Sequence, residues 1–232
     1  MKNRILAMVM AVFLSCEGSG CGMITKVTPQ EKILSVMKEK YGEEFEFEGW
    51  AHKAYGSPDL TANVTCVSFP EERIHAGQEE DEDGKLIYFD DYMAYQYEEE
   101  MQKVLENLVQ EVYPTARIIW KITSSEFPRE MSQEMSVREI MESKESIFSV
   151  YIVVNQAVNE TEKYANLEKL RKSLEESKIR MKGALFFTLD EAAYQELDGE
   201  NYSYWASKDD WFEQRCNFAT DRAYEFYYAD WR

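Results

Sequence analysis

The chain has 232 residues, of which 26 are Lys or Arg and 44 are Asp or Glu, so its formal net charge is −18. Hydrophobic residues make up 44% and aromatic residues 14% of the sequence, which is enough for a sizeable core and excludes disorder along the whole chain. The acidic balance also excludes nucleic acid as a partner, because affinity for a phosphate backbone comes from clustered Lys and Arg.

The N-terminus has the three-part layout of a secretory signal. Lys2 and Arg4 precede an apolar run of ten residues from Ile5 to Leu14, and small and polar residues follow as far as Gly22. A helix of that length spans about 15 Å, roughly half of the hydrocarbon core of a bilayer. We therefore expect an export signal rather than a permanent transmembrane anchor.

The end of the apolar run carries a lipidation pattern. Phe13-Leu14-Ser15-Cys16 resembles the lipobox of bacterial lipoproteins, in which a small residue precedes a cysteine that is lipidated and becomes the mature N-terminus. The resemblance is confined to this N-terminal segment. It implies removal of residues 1–15 as a signal peptide, a diacylglyceryl group on the Cys16 sulfur, and a tether over residues 16–27. Phe13 departs from the leucine that is usual at its position.

Two alternatives stay open for this segment. Cys21 is the second candidate lipid site, although Glu17 interrupts the apolar approach to it. The other alternative is cleavage by an ordinary signal peptidase, followed by secretion. All three interpretations place the body outside the cytoplasm. Lipidation at Cys16 would hold it on the extracytoplasmic face of the cell membrane with 24 basic and 44 acidic residues, a formal charge of −20, so that attachment depends on the acyl chains.

The globular body is predicted to span residues 28–232 and to begin with a helix. Thr28-Pro29-Gln30-Glu31 is a capping box with Pro at the first helical position. Apolar residues then recur at helical spacing until Gly42, which is a typical helix stop. The pattern predicts a helix over residues 29–41.

Strands and a second helix are predicted to follow. Apolar and polar residues alternate over residues 45–47 and 60–67, and a shorter strand is predicted over 86–89. An amphipathic pattern predicts a long helix through residues 97–112, and alternation resumes over 118–122. This part of the chain is therefore predicted to contain four strands and one long helix.

Residues 123–135 contain Pro and several Ser without periodicity, which makes them the best candidate for a linker or long connection. A subdivision of the body would accordingly fall near residues 124–135. Ser136-Val137-Arg138-Glu139 is a second capping box and predicts a short helix directly after this segment.

The remaining sequence predicts further strands and one helix. Residues 147–154 are almost wholly apolar and β-branched, as is typical of an interior strand covered on both faces. A helix is predicted over 161–178, a strand over 184–189, and a last strand through residues 224–228. The fold class expected from this order is α+β, with a mixed, mainly antiparallel sheet packed with amphipathic helices.

Two cysteines lie within the body, Cys66 and Cys216. An oxidising location would permit them to form a disulfide, which would close a loop of about 150 residues and constrain the unfolded chain by roughly 5 kcal/mol. The alternative is two unpaired, buried thiols that act as small hydrophobic residues. Spacing alone does not distinguish the two.

One acidic segment imitates a calcium-binding loop. Glu79, Asp81, Asp83 and Asp90 are spaced as ligands that wrap an ion, with Gly84 at the sharp turn. The first ligand is Glu rather than Asp, and the last is Asp rather than a bidentate Glu. The same residues also fit a tight turn at Asp83-Gly84 before a strand, with the neighbouring acids solvated.

The sequence shows no familiar catalytic constellation. His52 and His75 are the only histidines, and neither belongs to a zinc-binding pattern. Nucleophile-elbow, phosphate-loop and dinucleotide-binding glycine motifs are lacking, so no cofactor is expected. A pair of carboxylates could still serve a glycoside hydrolase, since such residues meet in space rather than in sequence.

Aromatic residues crowd the C-terminal region. Trp205 and Trp211 are candidates for a ligand platform, and the alternative is that these aromatic side chains pack across a sheet. An export signal without a catalytic motif favours a non-enzymatic binding or interaction role at the cell envelope, with an envelope protein or a glycan as partner. The alternative function is that of an extracytoplasmic protein that binds or hydrolyses glycans.

Overall fold

The computed structural model describes residues 27–53, 58–197 and 211–232. Within these ranges the fold is α+β, as predicted, but it contains two sheets where one was expected. The strands are β1 (Phe45–Lys53), β2 (Leu60–Cys66), β3 (Ile74–Glu80), β4 (Leu86–Asp90), β5 (Ala116–Trp120), β6 (Phe148–Val154), β7 (Met181–Thr188), β8 (Phe212–Thr220) and β9 (Phe226–Trp231). The helices are α1 (Pro29–Tyr41), α2 (Tyr92–Gln96), α3 (Glu98–Gln110), α4 (Val137–Met141), α5 (Lys163–Ser177) and α6 (Glu191–Glu196).

The N-terminal sheet is an antiparallel meander in the order β1-β2-β3-β4. Along β2, buried residues alternate with half-buried residues from Leu60 to Cys66, because one face of the sheet packs on the core. Helix α1 contacts β1 and β3, and its buried side chains are Ile33 and Met37. The predicted alternation on β2 is thus confirmed.

Both ends of α1 are fixed by hydrogen bonds. Thr28 Oγ1 accepts from the amide of Glu31 at 3.2 Å, and Glu31 Oε2 accepts from the amide of Thr28 at 2.7 Å. At the other end Gly42 has a φ of 71°, and its amide donates to the carbonyl of Lys38 at 2.8 Å. These bonds satisfy amides and carbonyls that helix ends leave free, and the helix predicted over residues 29–41 is confirmed.

The C-terminal sheet is mixed, in the order β5-β6-β7-β8-β9. β6 and β7 pair in parallel, because α5 carries the chain back across the sheet before β7 begins. The other neighbouring pairs are antiparallel. β5 and β9 form the two edges, so β6, β7 and β8 are the interior strands of this sheet.

One continuous cluster of buried side chains lies beneath both sheets. It includes Ile33 on α1, Ile74 on β3, Leu105 on α3, Ile152 on β6 and Phe218 on β8, none of them more than 2% exposed. Each sheet has an apolar face that must be removed from water, and the shared cluster covers both. None of the helices among the described residues is long and apolar enough to span a bilayer.

The segment over residues 123–135 packs against this core. The ring of Phe127 meets that of Phe148 edge to face, with centroids 5.9 Å apart, and Met131 is only 1% exposed. Glu126 and Ile147 exchange two backbone hydrogen bonds of 2.9 and 3.0 Å. The segment is therefore an ordered connection from β5 to α4. Directly after it, the second capping box of the chain, at Ser136, is formed as predicted.

Several elements differ from the sequence predictions. β8 and the short helices α2 and α6 were not predicted, and the last strand begins at Phe226 rather than at residue 224. Two further differences are β3 and the strand predicted over 118–122. β3 was not predicted, because it combines small residues with acids; at Gly77 a Cβ atom would lie 2.3 Å from the carbonyl oxygen of Leu60. The strand predicted over 118–122 ends at Trp120, and Ile122 begins a short 3-10 turn. In both cases tertiary contacts, rather than local alternation, decide the backbone.

The second face of the C-terminal sheet is covered at one end. Val153 and Phe186 pack with Leu197 in a small separate cluster. Arg117 on β5 donates hydrogen bonds to the carbonyls of Tyr194 and Leu197, the latter at 2.7 Å, and so holds α6 over this end of the sheet.

Further along the same face, the predicted coverage of the strand over 147–154 is incomplete. Residues 152–154 are buried, whereas Ser149 and Tyr151 are half-buried and line a shallow pocket. The interior strand is therefore covered on both faces over only part of its length.

Gly183 offers a test of how tightly β6 and β7 approach. It has a φ of 152°, and a Cβ atom there would lie 1.7 Å from the carbonyl oxygen of Val150. We expect Gly183→Ala to lower the free energy of unfolding by about 3 kcal/mol or more, because the methyl group must displace a neighbouring strand. Denaturant unfolding measures this difference.

Gly49→Ala is the matched control, since a Cβ atom at Gly49 meets nothing within 4 Å. We expect its free energy of unfolding to change by less than about 1 kcal/mol. Similar losses in the two variants would contradict the close approach at Gly183.

Candidate functional site

The two sheets meet along a groove of about 770 Å³, which we call the inter-sheet groove. His75 and Phe89 of the N-terminal sheet lie on one side. The connection over residues 125–130 and the cations Arg180 and Arg222 complete the lining. The volume matches that of sites for small organic ligands, which are about 300–1,000 Å³.

His75 and Asp91 are joined by three hydrogen bonds in the wall of this groove. Asp91 Oδ1 accepts from the amide of His75 at 2.7 Å, and Oδ2 lies 3.1 Å from His75 Nδ1. The amide of Asp91 in turn donates to the carbonyl of His75 at 3.1 Å. The pair forms because β3 lies beside β4, and Asp91 directly follows β4.

These contacts shift the pKa of both side chains. The hydrogen bond that the imidazole makes to Asp91 raises the pKa of His75, and this effect outweighs burial, which acts in the opposite direction. Burial raises the pKa of Asp91, although the bonds from His75 favour its charged form. The pairing with Asp91 therefore favours the protonated form of His75.

The neighbouring Asp90 binds elements outside the groove. Its Oδ1 accepts from the hydroxyl of Tyr41 at 2.6 Å, and its Oδ2 accepts from Lys40 Nζ at 2.6 Å. Only 4% of the Asp90 side chain is exposed. Burial and the charge of Asp90 raise the pKa of Tyr41, so its hydroxyl stays a donor. Asp90 thus ties α1 to the N-terminal sheet.

Three cations gather at one end of the groove: Lys144, Arg180 and Arg222. Arg180 is 8% exposed, its Nε donates to the carbonyl of Asp221 at 3.1 Å, and its Nη1 donates to the carbonyl of Lys144 at 2.7 Å. Since Asp221 precedes Arg222, one guanidinium fixes the backbone beside both other cations. None of the three forms an ion pair with a carboxylate of the described residues.

Aromatic side chains form the apolar part of the lining. The guanidinium of Arg129 lies 5.0 Å from the ring centroid of Phe89, and its Nη1 is 2.5 Å from Glu79 Oε2. The amide of Arg129 donates to Glu145 at 3.1 Å. Phe127 lines the groove beside them. The groove therefore combines aromatic surface with a separate cationic end.

The candidate calcium loop forms a hairpin turn. Asp81 Oδ1 accepts from the amides of Asp83 at 3.0 Å and Lys85 at 2.8 Å, and Gly84 has a φ of 77°. This arrangement is the acidic turn between two strands that was the alternative interpretation.

The other two candidate calcium ligands point elsewhere. Glu79 pairs with Arg129, and Asp90 lies at the far end of β4, where it is paired with Ala76 across the sheet. The four acids do not form a calcium loop. Among the residues that the structure describes, no three His, Cys, Asp or Glu side chains are grouped so as to hold a metal ion.

The cysteines of the body are both free and buried. Cys66 ends β2 in the N-terminal sheet, and Cys216 lies on β8 in the C-terminal sheet. Burial raises the pKa of Cys66 and raises the pKa of Cys216 to about 11. The structure therefore matches the interpretation of two unpaired thiols and contains no disulfide between them.

The aromatic platform is not assembled by the described residues. Trp211 is half-buried and packs against the small cluster around Phe186 and Phe212, as the packing alternative required. Trp205 lies outside the described residues, as do the candidate lipid sites Cys16 and Cys21.

The sequence did not point to the residues that line the inter-sheet groove. His75 was considered only as a zinc ligand and did not fit a zinc-binding pattern, and the sequence patterns did not single out Asp91 or Arg180. The basic residues Lys178, Arg180 and Lys182 follow a helix, a place where cations commonly interact with the helix dipole. The one available signal was the scarcity of histidine, since only two occur in the chain.

Comparisons with known proteins do not identify a function for the inter-sheet groove. No protein-family model matches the chain, and no curated protein sequence is similar to it. The chain is similar to the crystal structure of a DUF5037 family protein from Ruminococcus gnavus ATCC 29149, with 13% sequence identity, coverage of 71% of this chain and 76% of that chain, and a TM-score of 0.34. A likeness at this level carries neither family membership nor function.

The His75–Asp91 pair can be tested by titration. We expect Asp91→Asn to lower the pKa of His75, because the amide replaces a charged acceptor with a neutral one. The raised pKa of His75 contributes folding stability that is fully present below the ordinary histidine pKa of 6.5 and is lost as pH rises through the raised value. NMR titration of the imidazole C–H resonances measures the shift.

His52, an exposed residue on β1, supplies the second imidazole signal as an internal reference for the spectra. An unchanged titration midpoint of His75 in the Asp91→Asn variant would contradict the pairing.

Proposed function

We propose that the protein is a lipoprotein held on the extracytoplasmic face of the cell membrane, where it binds a partner without turning it over. The observation that carries the binding role is the inter-sheet groove, with its aromatic wall and cationic end. The anchor is proposed from the signal and the lipobox-like segment that ends at Cys16, with Cys21 as the alternative site. Partners would be the membrane, through the covalent lipid, and an envelope protein or glycan.

The polar groups of the groove support binding rather than catalysis. Ser125 Oγ donates to the carbonyl of Lys121 at 3.0 Å and accepts from the amide of Ser149 at 3.1 Å, so this hydroxyl is held in structural bonds. Asp91 is bound by His75, and Asp90 by Tyr41. A nucleophile must be able to reach a substrate, and the bonds of Ser125 and Asp90 compete with that reach.

The start of α1 is consistent with a tether upstream of the body. The capping box at Thr28 binds the amides of Thr28 and Glu31, so the helix begins with a cap formed by its own residues. A mature chain that begins at Cys16 would place a short segment between the lipid and this helix.

The anchor can be tested with two cysteine variants. We expect Cys16→Ala to abolish incorporation of a labelled fatty acid and to release the protein from the membrane fraction, since the acyl chains supply the attachment. Cys21→Ala is the matched control and should leave both properties unchanged. Intact-mass analysis of the membrane-extracted wild-type protein should place the mature N-terminus at Cys16.

The opposite pattern, with the label lost only in Cys21→Ala, would move the anchor to Cys21. A mature protein that retains residues 1–15 without lipid would overturn the lipoprotein proposal. Turnover of an envelope substrate by the purified protein would overturn its non-enzymatic part.

A glycan-binding role is the second candidate, and it is favoured by the pocket on the open face of the C-terminal sheet. This pocket has a volume of about 350 Å³ and is lined by Tyr151, Tyr227 and Lys182, among others. Tyr227 is 68% exposed on the edge strand β9. Aromatic rings with polar tips are suited to sugar faces.

Neighbouring tyrosines on β9 provide the test of this second candidate. We expect Tyr227→Ala to weaken retention on immobilised cell-wall glycan by about fivefold, in line with the loss of one aromatic contact. Tyr228→Ala is the matched control, because Tyr228 is exposed on the same strand but does not line the pocket. Equal retention of wild type and Tyr227→Ala would remove this candidate.

A further inference from the structure

The cations of the inter-sheet groove stand out against the charge of the chain. Acids outnumber bases by 44 to 26, so a basic side chain has many carboxylates with which it could pair. Lys144, Arg180 and Arg222 nevertheless lie at the same end of the groove without a carboxylate partner among the described residues.

Backbone hydrogen bonds hold Arg180 in this unpaired state. Its side chain is almost fully buried, and the carbonyls of Lys144 and Asp221 accept from two of its nitrogens. A guanidinium has five N–H donors, so these two hydrogen bonds leave other N–H groups of Arg180 available to an acceptor. Lys144 precedes Arg180 in the chain and Asp221 follows it. Hydrogen bonds to both of these carbonyls fix the plane of the guanidinium.

Burial of the guanidinium favours an anion at this end of the groove. A buried charge loses its hydration, and paired carboxylates or bound anions are the usual compensation. Two acids that line the groove are already engaged: Glu126 pairs with Lys182 at 2.6 Å, and Glu145 accepts from the amide of Arg129. Glu130 also lines the groove, but it forms no ion pair with Arg180.

We infer that the cationic end of the inter-sheet groove binds the carboxylate or phosphate group of a small organic anion. Arg180 would supply the planar fork that suits such groups, and Lys144 and Arg222 would supply further charge. The remainder of the ligand would lie against Phe89 and Phe127. This inference deepens the binding role proposed above and rests on it, but it does not depend on the lipid anchor.

The experiment uses the mature protein in a non-ionic detergent and three probes of similar size. Phenyl phosphate and benzoate carry the anionic group and a ring, whereas benzyl alcohol carries only the ring. We expect both anions to bind and benzyl alcohol to bind at least about tenfold more weakly, since charge-assisted hydrogen bonds supply the difference. Calorimetry gives the affinities, and the imidazole signal of His75 reports binding inside the groove.

Variants at exposed positions separate binding from folding. We expect the double variant Lys144→Gln/Arg222→Gln to weaken binding of phenyl phosphate by about tenfold or more. The matched control is Lys103→Gln/Arg73→Gln, which removes two exposed cations that do not line the groove. Arg180→Lys keeps the charge but loses the fork, and we expect it to weaken binding as well.

Equal affinities of the wild type and the Lys144→Gln/Arg222→Gln variant would overturn the inference, and so would failure of both anions to bind at millimolar concentration. Binding of a neutral glycan that moves the His75 signal and is unaffected by these variants would also overturn it, while the binding role itself would stand. Release of the protein by Cys21→Ala, or retention of residues 1–15, would contradict only the proposed anchor. Either result can therefore be distinguished from a failure of anion binding.

Discussion

The apolar core shared by the two sheets is the constraint on which the rest of the structure depends. Four buried side chains of α3, including Met101 and Leu105, belong to the same cluster as Ile74 of the N-terminal sheet and Ile152 of the C-terminal sheet. Neither sheet can bury its face alone, so the two are held side by side. The inter-sheet groove is a consequence of this arrangement, because it lies between the edge strand β4 of the N-terminal sheet and the segments that lead into β6 and β7 of the C-terminal sheet.

The sequence was informative wherever a local pattern determines the backbone. The capping boxes at Thr28 and Ser136 and the alternation along β2 each depend on residues a few positions apart, and the structure contains all three. β3 depends instead on its neighbours. Gly77 is required by the close approach of Leu60 and Phe89, which lie on different strands, and no local pattern records that requirement.

The candidate site was beyond sequence reasoning for the same physical reason. His75, Arg180 and Arg222 are far apart in the chain, and they line one groove only after both sheets have packed. Arg180 is distinguished from the surface cations near it by burial and by two carbonyl acceptors, which are tertiary properties. The division into two sheets was likewise not predicted, since alternation identifies strands but does not reveal which of them pair.

The protonated state of the buried cysteines has a consequence for the life of an exported chain. Thiol–disulfide exchange requires the thiolate, and burial keeps Cys66 and Cys216 in the thiol form at neutral pH. In the exported form proposed above, burial and the thiol state of both cysteines would slow the reaction of the folded chain with disulfides. The unfolded chain, whose thiols are exposed, would lack this protection.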